Sequence, residues 1–311
     1  MSTTAFSSQD VARCCPVCAS SERSEYLRKQ DLRLVRCGSC SMVYASPVRR
    51  EFVSGQYYDR EASDYYLSPA KLESDYASVR FERELRLFRE HCQRGKVLDV
   101  GCSSGAFLYQ LSKRFPGCYA TVGTDASGPA LDYAEKRGLA VVRGDFLKQD
   151  FEGRRFEAVT FWAVLEHVAD PGAFLKKASS LMKDEGICFA LVPNLRSLAT
   201  RLLGARYRYI YPQHLNYFTR ATFMTLARKH FEVIHLRSTH FNPIVIWQDW
   251  RCGGAEVSNE KRAELLQQTT AYKQSGALRR LRALYQMTET MLGWFGLADN
   301  LVLVLRKKSQ T

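Results

Sequence analysis

A chain of 311 residues, 46% hydrophobic and 25% charged, can bury one large core or two smaller ones and has the composition of an ordinary globular protein. No run of about 18 apolar residues occurs, and the start MSTTAFSSQDVARCC lacks a basic segment followed by an apolar stretch; neither a membrane span nor a secretory leader is expected, and a cytoplasmic location is. The formal net charge of +13 suits nucleic acid, an anionic surface or a phosphorylated or carboxylated small molecule. With the basic residues spread along the chain and no polybasic tail, nucleic acid is the disfavoured partner.

Residues 1–12 are polar. Two C-x2-C pairs follow, Cys15-Pro16-Val17-Cys18 and Cys37-Gly38-Ser39-Cys40, with 18 residues between them. Clustered cysteines in a reducing compartment point to metal rather than disulfides. Four thiolates at this spacing can meet in one tetrahedron around Zn²⁺, with no position left open, so the ion is expected to be structural. Cys14 is the spare thiol, and the other five of the ten cysteines stand singly. A zinc-binding ribbon is expected over residues 1–47, with an extended run at Ser41–Pro47.

A connector rich in tyrosine and charge spans residues 48–94. Val79, Leu85, Leu87 and Phe88 fall at helical spacing and predict one helix over Leu72–His91. Tyr57, Tyr58, Tyr65 and Tyr66 either fold over the mouth of a site or pack between ribbon and core.

From Lys96 short apolar runs alternate with amphipathic stretches. Strands are predicted at Lys96–Val100, Tyr119–Asp125, Leu139–Arg143, Phe156–Trp162, Gly186–Val192 and Glu232–Arg237. Helices are predicted at Ala106–Arg114, Pro129–Arg137, Gly172–Met182 and Arg220–Lys229. This rhythm implies a doubly wound α/β fold with a mostly parallel, seven-stranded sheet covered on both faces. A helical insertion over 243–298 (Glu260–Tyr272 and Ala277–Leu292) precedes a closing strand at Asn300–Leu305, so the insertion is expected to lie on the catalytic unit 95–311.

The first strand runs into Asp99-Val100-Gly101-Cys102-Ser103-Ser104-Gly105 and then a helix. Glycine suits close approach of backbone to a ligand, and the N–H groups at the start of a helix suit an anion. Alone, this loop is also compatible with a dinucleotide site or a plain tight turn. Downstream spacing narrows it. Asp125 and Ala126 end the second strand, where an acid accepts hydrogen bonds from ribose hydroxyls. Asp145 and Phe146 follow the third strand and suit an adenine amino group and ring face. Then comes Trp162-Ala163-Val164-Leu165-Glu166-His167-Val168-Ala169-Asp170-Pro171.

Taken in order, DVGCSSG, GTDAS, GDF and LEHVADP resemble the class I S-adenosylmethionine methyltransferases, particularly the ubiquinone-biosynthesis type, over roughly residues 96–240. The resemblance implies Asp99, Gly101, Cys102 and Gly105 around the methionine moiety, Asp125 and Ala126 at the ribose, and Asp145, Phe146 and Trp162 around the rest of the cofactor. The family often has a further glycine where Cys102-Ser103-Ser104 stands. The G-x-G-x-x-G loop of dehydrogenases is absent. A cysteine ribbon, a tyrosine-rich segment and this core, in that order, are similar to bacterial enzymes that methylate sugars and other small metabolites. The expected function is methyl transfer to oxygen, nitrogen or carbon of a small molecule, preferably a sugar, nucleotide-sugar or secondary metabolite, with an anionic acceptor suited to the charge. An RNA or protein methyltransferase, its ribbon and basic surface gripping a macromolecule, is the alternative. The oligomeric state is left open.

Removing a proton from the acceptor at neutral pH calls for histidine. Of six, His167 follows the fourth strand. His214 lies in the stretch Tyr211–Thr219, which resembles a His-Leu-x-x-Phe-Thr stretch of the related enzymes. These two are the candidate catalytic residues. The run Arg206-Tyr207-Arg208-Tyr209-Ile210-Tyr211 alternates charge and ring, so that an extended segment would turn its arginines to one side as an anion clamp, or lie as a solvated loop.

Overall fold

The computed structural model describes residues 10–308 apart from 61, 254–256 and 275–278. The chain opens with β1 (Asp10–Val11), β2 (Arg23–Lys29), β3 (Leu32–Cys37), β4 (Val43–Ala45) and β5 (Val48–Arg49). Strands β2, β3 and β4 form an antiparallel meander, and β1 pairs with β5. The connector folds as α1 (Arg50–Ser54), α2 (Gln56–Arg60), a single π-helical turn at Ala62–Tyr66, α3 (Pro69–Tyr76) and α4 (Glu82–His91).

The helix expected over Leu72–His91 is thus two helices. Ala77 is extended (φ −62°, ψ 138°). The break is held from outside the segment: Gln110 Nε2 donates to the carbonyls of Tyr76 and Ala77 (2.8 and 3.1 Å). A helix end satisfied by a distant side chain leaves no mark in local periodicity.

The catalytic unit continues as β6 (Gly95–Val100), α5 (Ala106–Arg114), β7 (Tyr119–Asp125), α6 (Gly128–Lys136), β8 (Ala140–Arg143), β9 (Phe156–Trp162), α7 (Pro171–Leu181), β10 (Met182–Pro193), α8 (Leu198–Leu203), β11 (Asn216–Tyr217), α9 (Arg220–Ala227), β12 (Phe231–Thr239), α10 (Pro243–Arg251), α11 (Asn259–Gln274), α12 (Arg279–Trp294) and β13 (Asn300–Lys307). The first two residues of the helix expected at Ala277–Leu292 lie outside the described residues. Seven strands form one sheet in the order β12-β13-β10-β9-β6-β7-β8. All neighbours are parallel except β13, which slots antiparallel between β10 and β12. The central strands β6, β9, β10 and β13 carry continuous buried apolar runs, as strands covered on both faces must, whereas the edge strands β8 and β12 are partly exposed. Ser127, Asp170 and Thr219 cap α6, α7 and α9 through their side-chain oxygens, fixing where each helix leaves the sheet.

Chain order reverses between β6 and β9. Their carboxyl ends therefore diverge into a crevice, the place where open α/β sheets hold ligands. The ribbon is welded to this edge. Its β4 pairs with β11 of the catalytic unit, and Arg13 donates to the carbonyls of Leu215 (3.1 Å) and Ala169 (2.6 Å) and to Asn216 Oδ1 (2.9 Å). Val17, Val35, Met42 and Tyr44 share one core with Phe218, Phe223 and Leu226. Within the insertion, α11 lies on α3 and the π-turn while α12 runs along β12. Among the described residues no helix is long and apolar enough to cross a membrane.

Candidate functional site

The loop after β6 owes its glycines to conformation and packing together. Gly101 (φ +74°) and Gly105 (φ +78°) occupy the left-handed region, and a Cβ there would fall 2.4 Å from Val164 Cγ2 and 2.3 Å from Leu139 Cδ1. The close neighbours are the side chains of Val164, Leu139 and Ala134. Ser103 holds φ +51° where the family often has glycine, and its N–H donates to Asp125 Oδ2 at 2.8 Å.

Asp125 ends β7. Its other oxygen accepts from Ser127 N–H at 2.9 Å, so both oxygens are oriented by backbone and each keeps lone pairs for a ligand. Beside it lies a cleft of about 340 Å³ between Asp125, Ala126, Gly128 and Arg143 on the sheet side and Gly55 and Asp59 on the connector. Asp59 Oδ1 accepts from Gly128 N–H (2.9 Å), tying α2 across the cleft. Asp99 is buried and accepts from Thr160 Oγ1 at 2.6 Å; burial pushes its carboxyl up to about 7.

The remaining expected cofactor residues divide. Asp145 is exposed at the end of the cleft region and accepts from Leu147 N–H. Phe146 does not offer its ring to an adenine. The ring turns into the core against Phe151, Phe161 and Phe174, where burying a phenyl group is worth about 1.5–3 kcal/mol. Cys102 points under Gly123, which has no room for a Cβ beside its sulfur, so only its backbone faces the loop. Trp162 packs between Phe107 and Phe189, with Nε1 buried and unpartnered.

The two histidines are brought together, their ring centroids 4.7 Å apart. His214 Nδ1 lies 3.0 Å from the Tyr209 carbonyl, and His167 Nδ1 lies 2.9 Å from the Gln213 carbonyl. A carbonyl only accepts, so each Nδ1 carries its proton and each Nε2 keeps the lone pair. Tyr58 Oη also reaches His167 Nδ1 (2.9 Å). His167 is 17% exposed at its side chain, whereas His214 is 3% exposed. Burial lowers His167 to about 4 and His214 well below its ordinary value, so both are neutral at pH 7.

Glu166 stands behind them. Its Oε2 is buried without a partner, and burial raises the carboxyl to about 8. Glu166, His167 and His214 offer three donor atoms within 4.8 Å of one another, a set that can hold a metal as well as move a proton. Sequence reasoning passed over Glu166, although it stands beside His167 in the quoted run. A stability consequence follows. The folded protein keeps a proton that the unfolded chain releases near pH 4.3, so the Glu166 contribution is lost as pH rises toward 8. Glu166→Gln should therefore gain on the parent between pH 5 and pH 9 by on the order of a few kcal/mol, measured by urea unfolding at both values. An equal difference at the two values would show that Glu166 ionises freely.

Of the two readings of Arg206–Tyr211, the anion clamp does not form. The segment turns instead of extending, and Arg208 is engaged by Asp249 (2.7 Å) and Gln248 (3.0 Å) of α10. A half-buried guanidinium with a carboxylate on the next helix is a structural pair. The tyrosine-rich connector does reach the mouth. Tyr58 contacts His167, and Tyr57 Oη accepts from Gln213 Nε2 (2.7 Å).

In the ribbon the sulfurs of Cys15, Cys18, Cys37 and Cys40 lie within 4.8 Å of one another. Cys15 Sγ is 3.4 Å from Cys40 Sγ, and Cys18 Sγ 3.5 Å from Cys37 Sγ. A tetrahedron with Zn–S bonds of about 2.3 Å has edges of about 3.8 Å. Each knuckle closes alike: Ala19 N–H donates to the Cys15 carbonyl and Ser41 N–H to that of Cys37, with Ala19 and Ser41 both at φ +61°. Cys14 is exposed.

The profile of the methyltransferase domain matches residues 74–236. The chain is 31% identical over 168 residues to the ubiquinone biosynthesis O-methyltransferase of Rhodopseudomonas palustris (strain TIE-1), covering 50% of this chain and 64% of that protein. It is 33% identical over 141 residues to the protein of the same name from Bradyrhizobium diazoefficiens, covering 43% and 54%. The chain thus spans less than two thirds of the length of these curated relatives. A Thermotoga maritima structure described as an S-adenosylmethionine-dependent methyltransferase, possible histamine N-methyltransferase, superposes with a TM-score of 0.53 at 16% identity, covering 81% of this chain and 99% of that one. A chain from the Haloferax volcanii complex of the Trm112 methyltransferase activator with a putative methyltransferase gives 0.54 at 15% identity, covering 83% and 99%. At such identities the likeness concerns the fold. With the domain profile matching just over half of its length and the sheet order of that fold, the chain belongs to the methyltransferase domain family in its class I form.

Proposed function

We propose that the protein transfers a methyl group from S-adenosylmethionine to a hydroxyl oxygen of a small molecule, and that its ribbon holds a structural zinc ion. The observation that carries the reading is the cleft beside the carboxyl ends of β7 and β8, with the Asp125 carboxylate oriented on one wall, in a fold that also brings together two neutral histidines, His167 after β9 and His214 before β11. The O-methyltransferase relatives favour oxygen as the atom methylated. In this reading residues 1–47 are the ribbon, 48–94 the connector and 95–311 the catalytic unit carrying the insertion 243–298.

Asp125 would hold the ribose hydroxyls. Asp99 and the loop Gly101–Gly105 would lie along the methionine part, and Asp145 at the adenine end. The bound cofactor supplies an electrophilic methyl: a bond forms from the acceptor oxygen to the methyl carbon as the methyl–sulfur bond breaks, its electron pair staying on sulfur. His167, the more exposed histidine, takes the acceptor proton on Nε2. His214 and Tyr58 fix its ring. Arg13 of the ribbon is committed to carbonyls inside the fold, which favours a supporting role for the ribbon over a grip on a macromolecule. A sugar or nucleotide-sugar acceptor remains compatible with aromatic walls, which stack on a pyranose face as on a flat ring.

Calorimetry with S-adenosylhomocysteine tests the cofactor site. The parent should bind it. Asp125→Ala, with its melting temperature recorded, should bind about 10- to 100-fold more weakly, the scale of a lost charged hydrogen bond. Unchanged affinity would remove Asp125 from the ribose.

A further inference from the structure

Beyond the histidine pair, the insertion delivers a cation to the same mouth. Arg262, on the first turn of α11, is half-buried. Its guanidinium lies over the ring of Tyr65 at 4.8 Å and over that of Tyr211 at 5.1 Å. Among the described residues it meets no carboxylate, and no hydrogen-bond acceptor engages its N–H groups. Five donors facing tyrosine rings are attracted but not saturated. The nearby Lys71, whose Nζ lies 5.8 Å from the Tyr65 ring centroid, is already paired with Asp75.

Tyr211 also touches the histidine pair: its ring centroid is 4.2 Å from that of His214. Arg262 therefore stands one tyrosine ring away from His214, which packs on the candidate base His167. The same walls hold Gln213, whose Oε1 is buried without a partner. The space enclosed by Tyr65, Tyr66, Tyr211, Gln213 and Arg262 is about 10 Å³, room for about one water molecule. Seating a ligand would shift the π-turn Ala62–Tyr66, a type of turn frequent at functional sites.

We propose that Arg262 recognises a carboxylate carried by the methyl acceptor, a proposal that rests on the methyl-transfer reading above. A planar fork matches the two oxygens of a carboxylate. One guanidinium balances the single negative charge of a carboxylate, whereas a phosphomonoester carries close to two at neutral pH. The aromatic walls accept either an aromatic acid or a sugar acid as the carrier.

The test is calorimetric titration of benzoate, glucuronate, phenyl phosphate and benzamide into the protein, bare and loaded with S-adenosylhomocysteine, for the parent, Arg262→Gln and Arg262→Lys. Benzoate or glucuronate should saturate the parent while benzamide does not; whichever binds names the carrier. Arg262→Gln should weaken that carboxylate about 10- to 100-fold with S-adenosylhomocysteine affinity unchanged. Arg262→Lys, which keeps the charge and loses the fork, should fall between. Phenyl phosphate binding more tightly than both acids, no saturable binding of either acid, or equal binding by the parent and Arg262→Gln would each overturn the proposal. Failure to bind S-adenosylhomocysteine would instead remove the methyl-transfer reading, and the titration of bare protein would still decide what Arg262 holds.

Discussion

His167→Gln should lower the rate of methyl transfer about 10²- to 10⁴-fold, the range expected when a positioned base is lost. Binding of S-adenosylhomocysteine should stay within about twofold, because the side chain bonds to Tyr58 and the Gln213 carbonyl rather than to the Asp125 cleft. Transfer of a labelled methyl group in a single turnover separates the two quantities. The pH profile carries further information. With His167 held near 4 by burial, its Nε2 stays free of protons well below pH 6.5, so kcat/KM should be flat from about pH 5.5 to 7. A limb at pH 6.5 would mean a solvated histidine. Above pH 8, where the buried Glu166 ionises, negative charge appears beside the ring and the profile should bend; Glu166→Gln should abolish that bend. A rate in His167→Gln within a few fold of the parent would sink the assignment and turn attention to His214.

Stripping zinc from the ribbon should both destabilise the fold and depress activity, although no cysteine of the cluster belongs to the histidine pair. Structural zinc contributes about 10–16 kcal/mol of apparent binding free energy in small zinc-folded peptides at neutral pH, and in this ribbon it would add to the core shared with Phe218, Phe223 and Leu226. The path to the chemistry is backbone. Ala45 N–H donates to the Leu215 carbonyl (2.9 Å), and Leu215 and Asn216 N–H donate to the carbonyl of Glu166 (2.7 and 3.0 Å). Asn216 Nδ2 then holds the carbonyls of Leu165 and Val168. Chelation under reducing conditions, or Cys37→Ser, should lower the melting temperature by more than about 10 °C, since a few kcal/mol already shift a domain of this class by that amount. Transfer activity should fall in parallel. A freshly purified protein with almost no bound zinc and an unaltered melting temperature would refute the structural ion.

Sequence legibility followed the range of the forces involved. Strands β7 and β9 and helix α5 appear at their expected residues because apolar runs bounded by turn residues carry their own period. Asp125 was visible for the same reason: it closes a strand. The split of the connector helix was not, since the side chain that stabilises it, Gln110, belongs to another helix. Nor was β11, whose two residues have no period and exist as a strand only because β4 lies beside them. Phe146 was misplaced because composition after a strand does not tell whether a ring seeks a ligand or the core. Arg208 was left open between an anion clamp and a solvated loop because Asp249, its partner, sits 41 residues away on a helix that the pattern did not resolve. Arg262 left no signal at all, as its meaning comes from the insertion folding back over α3.

The pairing of Tyr44 with Asn216 sets an order of events during biosynthesis. The sheet of β2, β3 and β4 lacks its last strand until some 170 further residues have been translated, a wait on the order of ten to thirty seconds at typical rates of elongation. Through that interval the edge of β4 is an open template of unpaired backbone groups. Early capture of a metal ion would keep the nascent meander compact until its partner arrives, making metal supply at the ribosome a determinant of yield.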